Sequence, residues 1–253
     1  MSTGSSVTIG LLLPDVLGTY SDSGNATILA QRLRWRGVSA DILRCPADRP
    51  PPSSCEIYVL GGGEDTAQLF AAGWLRRHDE LCAAMAGEAV TLAVCAGMQI
   101  LGEWMEGPDG ERHAGAGLLD LTTRPRRHRA TGEVVADCAL PGVGVLSGFE
   151  NHAGATSLGV DVGPLGRVLA GVGNGDPNGS DAEGAVSGRI VATYLHGPVL
   201  ARNPALADFL LTEVIGPGLA EIEVPDQADL RRTYVPAVRA GRRSAGQMMR
   251  RSR

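Results

Sequence analysis

Short apolar runs alternate with amphipathic stretches over the first hundred residues, which is the pattern of buried strands followed by helices. The predicted strands are Val7–Leu13, Ala40–Arg44, Glu56–Leu60 and Ala89–Val94. The predicted helices are 25–35, 66–85 and a segment with helical periodicity from Gly97 to Met105. Strand–loop–helix units in succession build a parallel sheet covered on both faces. Functional loops are therefore expected at the carboxyl ends of these strands.

The pattern changes after Gly107, where shorter strands follow one another without helices between them. Strands are predicted at 118–123, 132–140, 144–149 and 189–194, and the last helix at 204–214. We therefore predict one α/β domain over 7–215, preceded by a flexible N-terminus at 1–6 and followed by an extension at 216–236. The segment 237–253 contains six arginines and no acidic residue, and is predicted to be a disordered basic tail.

The fourth strand turns directly into a helix around one reactive side chain, the thiol of Cys95. A strand-to-helix elbow holds a nucleophile on a sharp turn at the edge of a sheet, and this turn requires small neighbours. Ala93, Ala96 and Gly97 meet that requirement. The N-terminal end of the helix also favours the thiolate, which is the reactive form of cysteine. An arbitrary cysteine is most often a buried core residue, but the context here predicts a nucleophile at Cys95.

Composition narrows the class of protein. The chain has 253 residues, of which 43% are hydrophobic, and this is enough for one large domain. A formal net charge of −5 gives no general attraction to nucleic acid or membranes. All 23 basic residues are arginine, which excludes a lysine Schiff base and a lysine-containing P-loop. The other cysteines form no C-x-x-C pair, so neither a zinc site nor a disulfide framework is indicated.

The N-terminal sequence has no basic segment followed by an apolar core, as a signal peptide would. No apolar run approaches the ~20 residues of a membrane span. These features predict a cytoplasmic protein without transmembrane segments, whose thiols are reduced.

A cysteine nucleophile needs a base, and His196 is the main candidate among the five histidines. It follows the predicted strand 189–194, so a parallel sheet would present it at the same edge as Cys95. A structural role at the strand end is the alternative for His196, and His152 is a second candidate for the base.

A glycine turn follows the strand before the elbow, at 61–63. Attack of a thiolate on a carboxamide creates an oxyanion, and a glycine-rich turn can direct backbone N–H groups at that oxygen. We therefore predict an oxyanion hole built from the backbone of Gly62, Gly63 and Ala96. The alternatives for the turn are a phosphate-binding loop or a turn without a functional role.

Several segments together resemble class I glutamine amidotransferases of the branch shared with cobyric acid synthase, and more closely the GatD subunits of lipid II isoglutaminyl synthases. The resemblance extends in order over residues 7–212. The segments that carry it are 20–25 (YSDSGN), 61–65 (GGGED), 95–99 (CAGMQ), 148–154 (GFENHAG), 173–175 (GNG), 183–184 (EG), 193–198 (TYLHGP), 203–204 (NP) and 206–208 (LAD).

The resemblance implies a single flavodoxin-like α/β domain, with a mostly parallel sheet and β-hairpin additions, that hydrolyses L-glutamine. Cys95 would attack the side-chain carboxamide, and His196 would protonate the leaving ammonia. Gln99 and an arginine would bind the substrate. Arg129 fits the family motif, and it directly precedes the strand entered at Gly132. The alternative for the basic segment 124–129 is a solvated loop or a docking surface for a partner.

The resemblance also implies a partner, a MurT-like Mur ligase subunit that would form a heterodimer with this chain. The ammonia would amidate the D-glutamate of lipid II in peptidoglycan biosynthesis. ATP and magnesium would bind to the partner, and this chain would carry no cofactor or metal and bind no nucleic acid. The protein would be cytoplasmic and would reach the inner membrane face through the partner and its lipid substrate.

Three positions depart from the family pattern. Ala93 replaces a glycine, and Glu64 replaces a glutamine after the glycine turn. Pro198 occupies the position of the glutamate that orients the histidine in most class I enzymes, as it does in the cobyric acid synthase branch. The orienting group would come from elsewhere in the fold or from the partner. Two other functions remain open: an amidotransferase subunit for another acceptor, such as a corrinoid, and a non-catalytic regulatory module with a structural His196.

Overall fold

A computed structural model describes residues 6–18, 22–107, 109–222, 224 and 227 of the chain. The predicted basic tail lies outside the described residues, as do most of the predicted N-terminal segment and part of the C-terminal extension.

Two β-sheets organise the described part of the chain. The strands are β1 Val7–Leu12, β2 Ala40–Cys45, β3 Ile57–Leu60, β4 Val90–Val94, β5 Trp104–Glu106, β6 Arg112–Ala114, β7 Leu121–Cys138, β8 Val145–Leu158, β9 Gly166–Ala170, β10 Ala182–Glu183, β11 Ala185–Ser187 and β12 Ile190–Thr193. The central sheet has the order β11-β12-β4-β3-β1-β2, and only β11 runs antiparallel to its neighbour. Its strands β3, β4 and β12 are buried at every position, as predicted for a sheet covered on both faces.

Helices cover the central sheet. They are α1 Ser23–Arg34, α2 Asp65–Leu75, α3 Asp79–Ala86, α4 Ala96–Leu101, α5 Val199–Arg202 and α6 Pro204–Ile215. The connection from β1 to β2 through α1 and the connection from β3 to β4 through α2 and α3 run in opposite directions across the sheet. Because such crossovers are right-handed, these helices lie on opposite faces. None of the described helices has the length and apolar content needed to cross a membrane.

Helix α1 shows how the sequence pattern becomes packing. Its fully buried apolar side chains recur with the spacing of one helix face, at Ala26, Leu29, Ala30 and Leu33. This face packs on β1, β2 and β3, and α6 lies beside it. The helix is thereby fixed against the sheet, and its first residues are held at the carboxyl end of β1.

The predicted helix 66–85 is two helices, because the chain leaves the helical conformation at His78 (φ −124°, ψ 67°). The His78 ring packs against Trp74, with 4.3 Å between ring centroids, and its Nδ1 lies 2.8 Å from the Trp74 carbonyl oxygen. Asp79 and Glu80 then occupy the first turn of α3, where the helix dipole favours negative charge.

The second sheet differs most from the predictions. It has the order β10-β9-β7-β5-β6, with β8 also paired to β7. Met105 belongs to β5 and not to the helix after Cys95. The predicted strands 118–123 and 132–140 overlap the two ends of the single strand β7, whose pairing with β8 is interrupted between Pro125 and Ala130. The predicted single domain with a mostly parallel sheet and hairpin additions is confirmed.

Candidate active site

The elbow between β4 and α4 consists of one residue, Cys95. Its backbone has φ 55° and ψ −112°, a conformation that residues with a side chain rarely adopt. Flanking backbone bonds hold it there: the Cys95 N–H donates to the Thr193 carbonyl (2.8 Å), and the Cys95 carbonyl accepts the Met98 N–H (3.0 Å). A strained conformation that the surrounding fold maintains at a nucleophilic side chain points to a functional site.

Close packing brings the glycine turn after β3 against the elbow. A Cβ atom at Gly97 would lie 2.7 Å from the Leu60 carbonyl oxygen, so only glycine lets α4 start this close to the end of β3. A Cβ atom at Gly62 would lie 3.2 Å from the Cβ of Cys95 and 3.4 Å from Cε1 of His196. The elbow, the glycine turn and the histidine therefore meet at one point.

His196 lies between Cys95 and a buried carboxylate, Asp22. The His196 Nδ1 is 3.5 Å from Asp22 Oδ1, an ion-pair distance when the ring is protonated, and both side chains are almost completely buried. The other carboxylate oxygen of Asp22 accepts the Gly62 N–H (2.9 Å). The His196 N–H donates to the carbonyl of Phe149 (2.7 Å), which fixes the backbone of the histidine.

The surroundings of His196 favour its charged form. Burial alone lowers the pKa of the imidazole, but the hydrogen bonds and charges of Asp22 and Cys95 outweigh burial and raise this pKa to about 9. His196 therefore carries its second proton at neutral pH. A cationic imidazole can hold a thiolate as an ion pair and can donate a proton to a leaving group.

Asp22 is not among the catalytic residues predicted from the sequence, which leaves open the group that orients the histidine. Asp22 precedes α1 and makes no side-chain capping bond to that helix, so its carboxylate is available to the site. The signal in the sequence was its position: an acidic residue after the first strand, at the edge where parallel strands present functional groups. Pro198, at the usual glutamate position, instead lies against Gly24.

One of the three N–H groups predicted for the oxyanion hole, that of Gly62, already has an acceptor in the protein. It donates to Asp22, so this donor is already occupied. The N–H of the next residue, Gly63, has no hydrogen-bond acceptor among the described residues. The Ala96 N–H begins α4 and has no acceptor within the helix, as for the first N–H groups of any helix. Two of the three predicted donors are therefore open to a ligand.

A cavity of about 200 Å³ opens beside Cys95. Its wall carries charges of both signs, which come from Glu64, Asp65, Glu106, Arg124 and Arg129. A free amino acid carries a carboxylate and an ammonium group, and a wall with both signs of charge can pair with each.

The structure places two arginines of the basic segment in different surroundings. Arg129 lines the cavity, and its guanidinium is held by the side chain and the carbonyl of Asn151. Arg126 is directed elsewhere: its Nε donates to the His128 carbonyl (3.3 Å), and its guanidinium lies against Gly175. Arg124, which sequence analysis did not single out, also lines the cavity.

Gln99 lines the cavity, but the protein occupies its side-chain amide. Its Oε1 accepts a hydrogen bond from Gln68 (2.6 Å), and its Nε2 donates to the Tyr194 hydroxyl (2.7 Å). The Tyr194 hydroxyl is also bonded to Thr156 (2.7 Å). Gln99 is therefore fixed at the cavity wall by this network, and its predicted contact with the substrate stays a prediction.

His152, the second candidate for the base, has other partners. Its Nδ1 lies 2.9 Å from the carbonyl oxygen of Gly154, and its ring stacks on Tyr194 with 3.7 Å between centroids. Its Nε2 lies 3.7 Å from the carboxylate of Glu150. His152 lines the cavity, whereas the histidine whose pKa Cys95 helps to raise is His196.

The sequence is similar to proteins of known families. Residues 8–204 match the CobB/CobQ-like glutamine amidotransferase domain. The lipid II isoglutaminyl synthase (glutamine-hydrolyzing) subunit GatD of Staphylococcus aureus is 33% identical over 93% of this chain and 97% of its own length. The GatD subunit of Streptococcus pneumoniae is 29% identical over 88% of this chain and 86% of its own. Cobyric acid synthase of Hyphomonas neptunium is 32% identical, but the match spans only 32% of that protein.

A solved structure supports the fold independently. The glutaminase domain of Trypanosoma brucei CTPS, with bound acivicin, superimposes with a TM-score of 0.51 at 12% identity, over 83% of this chain and 94% of that domain. The predicted resemblance to GatD subunits is confirmed by the two GatD relatives. Because the family model spans most of the chain and a GatD relative matches almost its whole length, this chain belongs to the CobB/CobQ-like glutamine amidotransferases.

Proposed function

We propose that this chain hydrolyses L-glutamine through Cys95 and His196 and supplies the ammonia to a MurT-like ligase subunit that amidates the D-glutamate of lipid II. The observation that carries the chemistry is that a strained elbow cysteine and a buried histidine meet beside Gly62, where the pKa of the histidine is raised to about 9. Lipid II as the acceptor, and the presence of a further subunit, are supported by the names of the two GatD relatives, which are subunits of lipid II isoglutaminyl synthases.

The reaction begins when the Cys95 thiolate attacks the carboxamide carbon of glutamine. The carbonyl oxygen becomes an oxyanion, which the backbone N–H groups of Gly63 and Ala96 stabilise. The C–N bond then breaks, and His196 gives its proton to the leaving nitrogen, so ammonia leaves and a γ-glutamyl thioester remains. Neutral His196 next removes a proton from water, which attacks the thioester, releases glutamate and restores the thiolate.

The carboxylate of Asp22 acts on His196 and not on the substrate. It lies beside Nδ1 of the protonated ring, and it links the ring to the glycine turn through the Gly62 N–H. In this role Asp22 takes the place of the orienting glutamate that Pro198 replaces. The group that the sequence left unassigned is therefore available within this chain.

Replacing Asp22 by asparagine is expected to move the alkaline limb of the pH–rate profile to lower pH. Asp22 raises the pKa of His196, so without the negative charge the imidazole loses its proton below about 9. A histidine with a raised pKa keeps its proton below that pKa and loses it above, so the fall in kcat begins earlier in the variant. The measurement is kcat against pH for both proteins. Superimposable alkaline limbs would assign Asp22 a purely structural role.

The charged wall of the cavity would select free glutamine. Arg129 would bind the α-carboxylate through two parallel hydrogen bonds, because a guanidinium matches the geometry of a carboxylate. The carboxylates at the rim, Glu64, Asp65 and Glu106, would face the α-ammonium group. Glutamine within a peptide lacks one or both charges and would be rejected.

Replacing Arg129 by lysine is expected to lower kcat/KM for glutamine by about 10–100-fold, mainly through KM. Lysine keeps the charge but loses the fork that binds a carboxylate in two places. Arg126→Ala is the matched control, because Arg126 belongs to the same basic segment but is directed toward Gly175. The measurement is the rate of glutamate release against glutamine concentration. Normal kinetics for Arg129→Ala would show that Arg129 does not bind the substrate. Arg124 would then be the candidate ligand for the carboxylate.

Amidation of a carboxylate requires activation by a nucleotide, and we place ATP and magnesium on the ligase partner. This chain would contribute the glutaminase reaction and the site from which ammonia leaves. The complex would meet lipid II through the partner, at the inner face of the membrane.

The test is co-expression with a Mur-ligase-like protein, followed by purification and an amidation assay on lipid II. The expected result is a complex that releases glutamate from glutamine and forms amidated lipid II with ATP present. The complex with Cys95→Ala should still amidate lipid II from ammonium chloride, because only the ammonia source is lost. Absence of glutamate release by the wild-type complex would contradict the glutaminase proposal. Amidation of a corrinoid but not of lipid II would contradict the acceptor.

A further inference from the structure

Glu183 is a buried carboxyl group that the mechanism above does not use. It ends β10, and none of its surface is exposed. Its Oε1 accepts the N–H of Tyr194 (3.1 Å) and the hydroxyl of Thr193. The same hydroxyl accepts the N–H of Leu195 (3.0 Å). The two backbone N–H groups immediately before His196 are therefore held by Glu183, one directly and one through Thr193.

We infer that Glu183 is a positioning residue for glutamine hydrolysis, which fixes the segment 193–195 and so aligns His196 with Cys95. This inference rests on the proposed roles of those two residues. The segment reaches both of them: the Thr193 carbonyl accepts the Cys95 N–H (2.8 Å), and His196 follows Leu195 directly. A shift of the segment would move the nucleophile and the histidine relative to each other, and displacements of about 1 Å cost as much as 10²-fold in rate.

Glu183 is itself held firmly by its neighbour, Gly184. The Gly184 N–H donates to Asn174 Oδ1 (2.7 Å), and Asn174 Nδ2 donates to the Gly184 carbonyl (2.9 Å). Gly184 has φ 65°, and a Cβ atom there would lie 2.3 Å from the carbonyl oxygen of Ala192 in β12. Segments 173–175 and 183–184 are thus bonded to each other and packed against β12. This gives a structural role to two family segments that the catalytic steps do not explain.

The electrostatics of Glu183 determine which substitution tests this role. Burial and, to a smaller extent, the charge of Glu150 raise the pKa of the Glu183 carboxyl, and the hydrogen bonds from Thr193 and Tyr194 lower it, with a net pKa of about 7. Cys138 and the Tyr194 phenol are the other titratable groups that face it. Among the described atoms, none is bonded to Glu183 Oε2. The Glu183 Oε1 can accept both hydrogen bonds whether the carboxyl group is protonated or not. Glutamine keeps an oxygen acceptor at this position and is therefore a close substitute, whereas leucine has none.

The experiment compares Glu183→Gln and Glu183→Leu in the full chain with its partner. Glutaminase kcat and KM are measured, together with the rate of Cys95 alkylation by iodoacetamide as a function of pH. Alkylation reports on the Cys95–His196 pair without any need for glutamine. Asp208→Asn is the stability control, because Asp208 pairs with the buried Arg32 (2.6 Å) and touches neither catalytic residue.

For Glu183→Gln we expect kcat and the alkylation profile to stay within about threefold of wild type. For Glu183→Leu we expect kcat to fall at least about tenfold, KM to change little, and the alkylation profile to shift in pH. Asp208→Asn should lower Tm and leave both measurements unchanged.

Normal kcat and a normal alkylation profile in folded Glu183→Leu would overturn the inference. A loss of kcat that only follows the loss of folded protein, as measured by circular dichroism, would do the same. Wild-type protein without glutaminase activity but with a pH-dependent reactive Cys95 would contradict the proposed function alone, and the alkylation profile of Glu183→Leu would still decide the role of Glu183.

Discussion

Replacement of Cys95 by alanine is expected to reduce glutamine hydrolysis by at least about 10⁴-fold, because no other group can form the thioester. The fold should survive, since alanine keeps the Cβ atom and the backbone bond to Thr193 at the same strained conformation. Residual activity would come from the oxyanion donors and substrate binding alone. The measurement is glutamate release, with Tm recorded to show that the variant is folded.

The controls use the other thiols of the chain. Burial raises the pKa of the Cys82 and Cys138 thiols, so they are poorer nucleophiles than an elbow cysteine at a helix start. An electrophilic glutamine analogue should therefore label Cys95 and spare both, and Cys138→Ala should hydrolyse glutamine normally. Glutamate release at the wild-type rate by Cys95→Ala, or an adduct mapped to Cys138, would contradict the mechanism.

The central sheet was predictable because its strands are buried on both faces. Such strands are continuous apolar runs, so Val90–Val94 stands out from the sequence without ambiguity about which face is inside. The elbow was predictable for the same reason: one thiol interrupts an apolar run between small residues. His196 could then be placed by topology, since ends of parallel strands share one edge.

The second sheet was less predictable because its longest strand carries charge in the middle. Residues 124–129 contain four arginines, which is typical of a loop, but β7 continues through them and only its pairing with β8 is interrupted. Partner strands and not local propensity determine this conformation. The consequence for the site is direct, because Arg124 and Arg129 lie beside the interruption and line the cavity.

Buried polar partners were the least predictable part of the site. Asp22 and Glu183 are more than 150 residues apart in the chain, and neither stands in a pattern that periodicity detects. Each is explained by the groups that it satisfies, which are the Gly62 N–H for Asp22 and the Tyr194 N–H for Glu183. A buried carboxylate without such partners would be costly, so these contacts decide where the two residues lie.

Replacement of His196 by alanine is the second large effect, and we expect kcat to fall by about 10²–10⁴-fold or more. Without the imidazole, the thiol has no cation to hold it as a thiolate, and the leaving nitrogen has no proton donor. The variant also leaves Asp22 buried without its cationic neighbour, so Tm is measured alongside kcat. The imidazole is the group whose pKa is raised to about 9, so its removal should also change the pH dependence of the remaining rate.

The comparison with His152→Ala decides between the two histidines. His152 stacks on Tyr194 at the cavity wall, and its Nδ1 bonds to Gly154, so its loss should change KM for glutamine more than kcat. Alkylation of Cys95 by iodoacetamide gives a substrate-free measure of the same difference. It should slow at neutral pH in His196→Ala and stay near wild type in His152→Ala, because the pKa of His196 is raised in part by Cys95. An inactive His152→Ala beside a nearly normal His196→Ala would show that the base had been assigned to the wrong histidine.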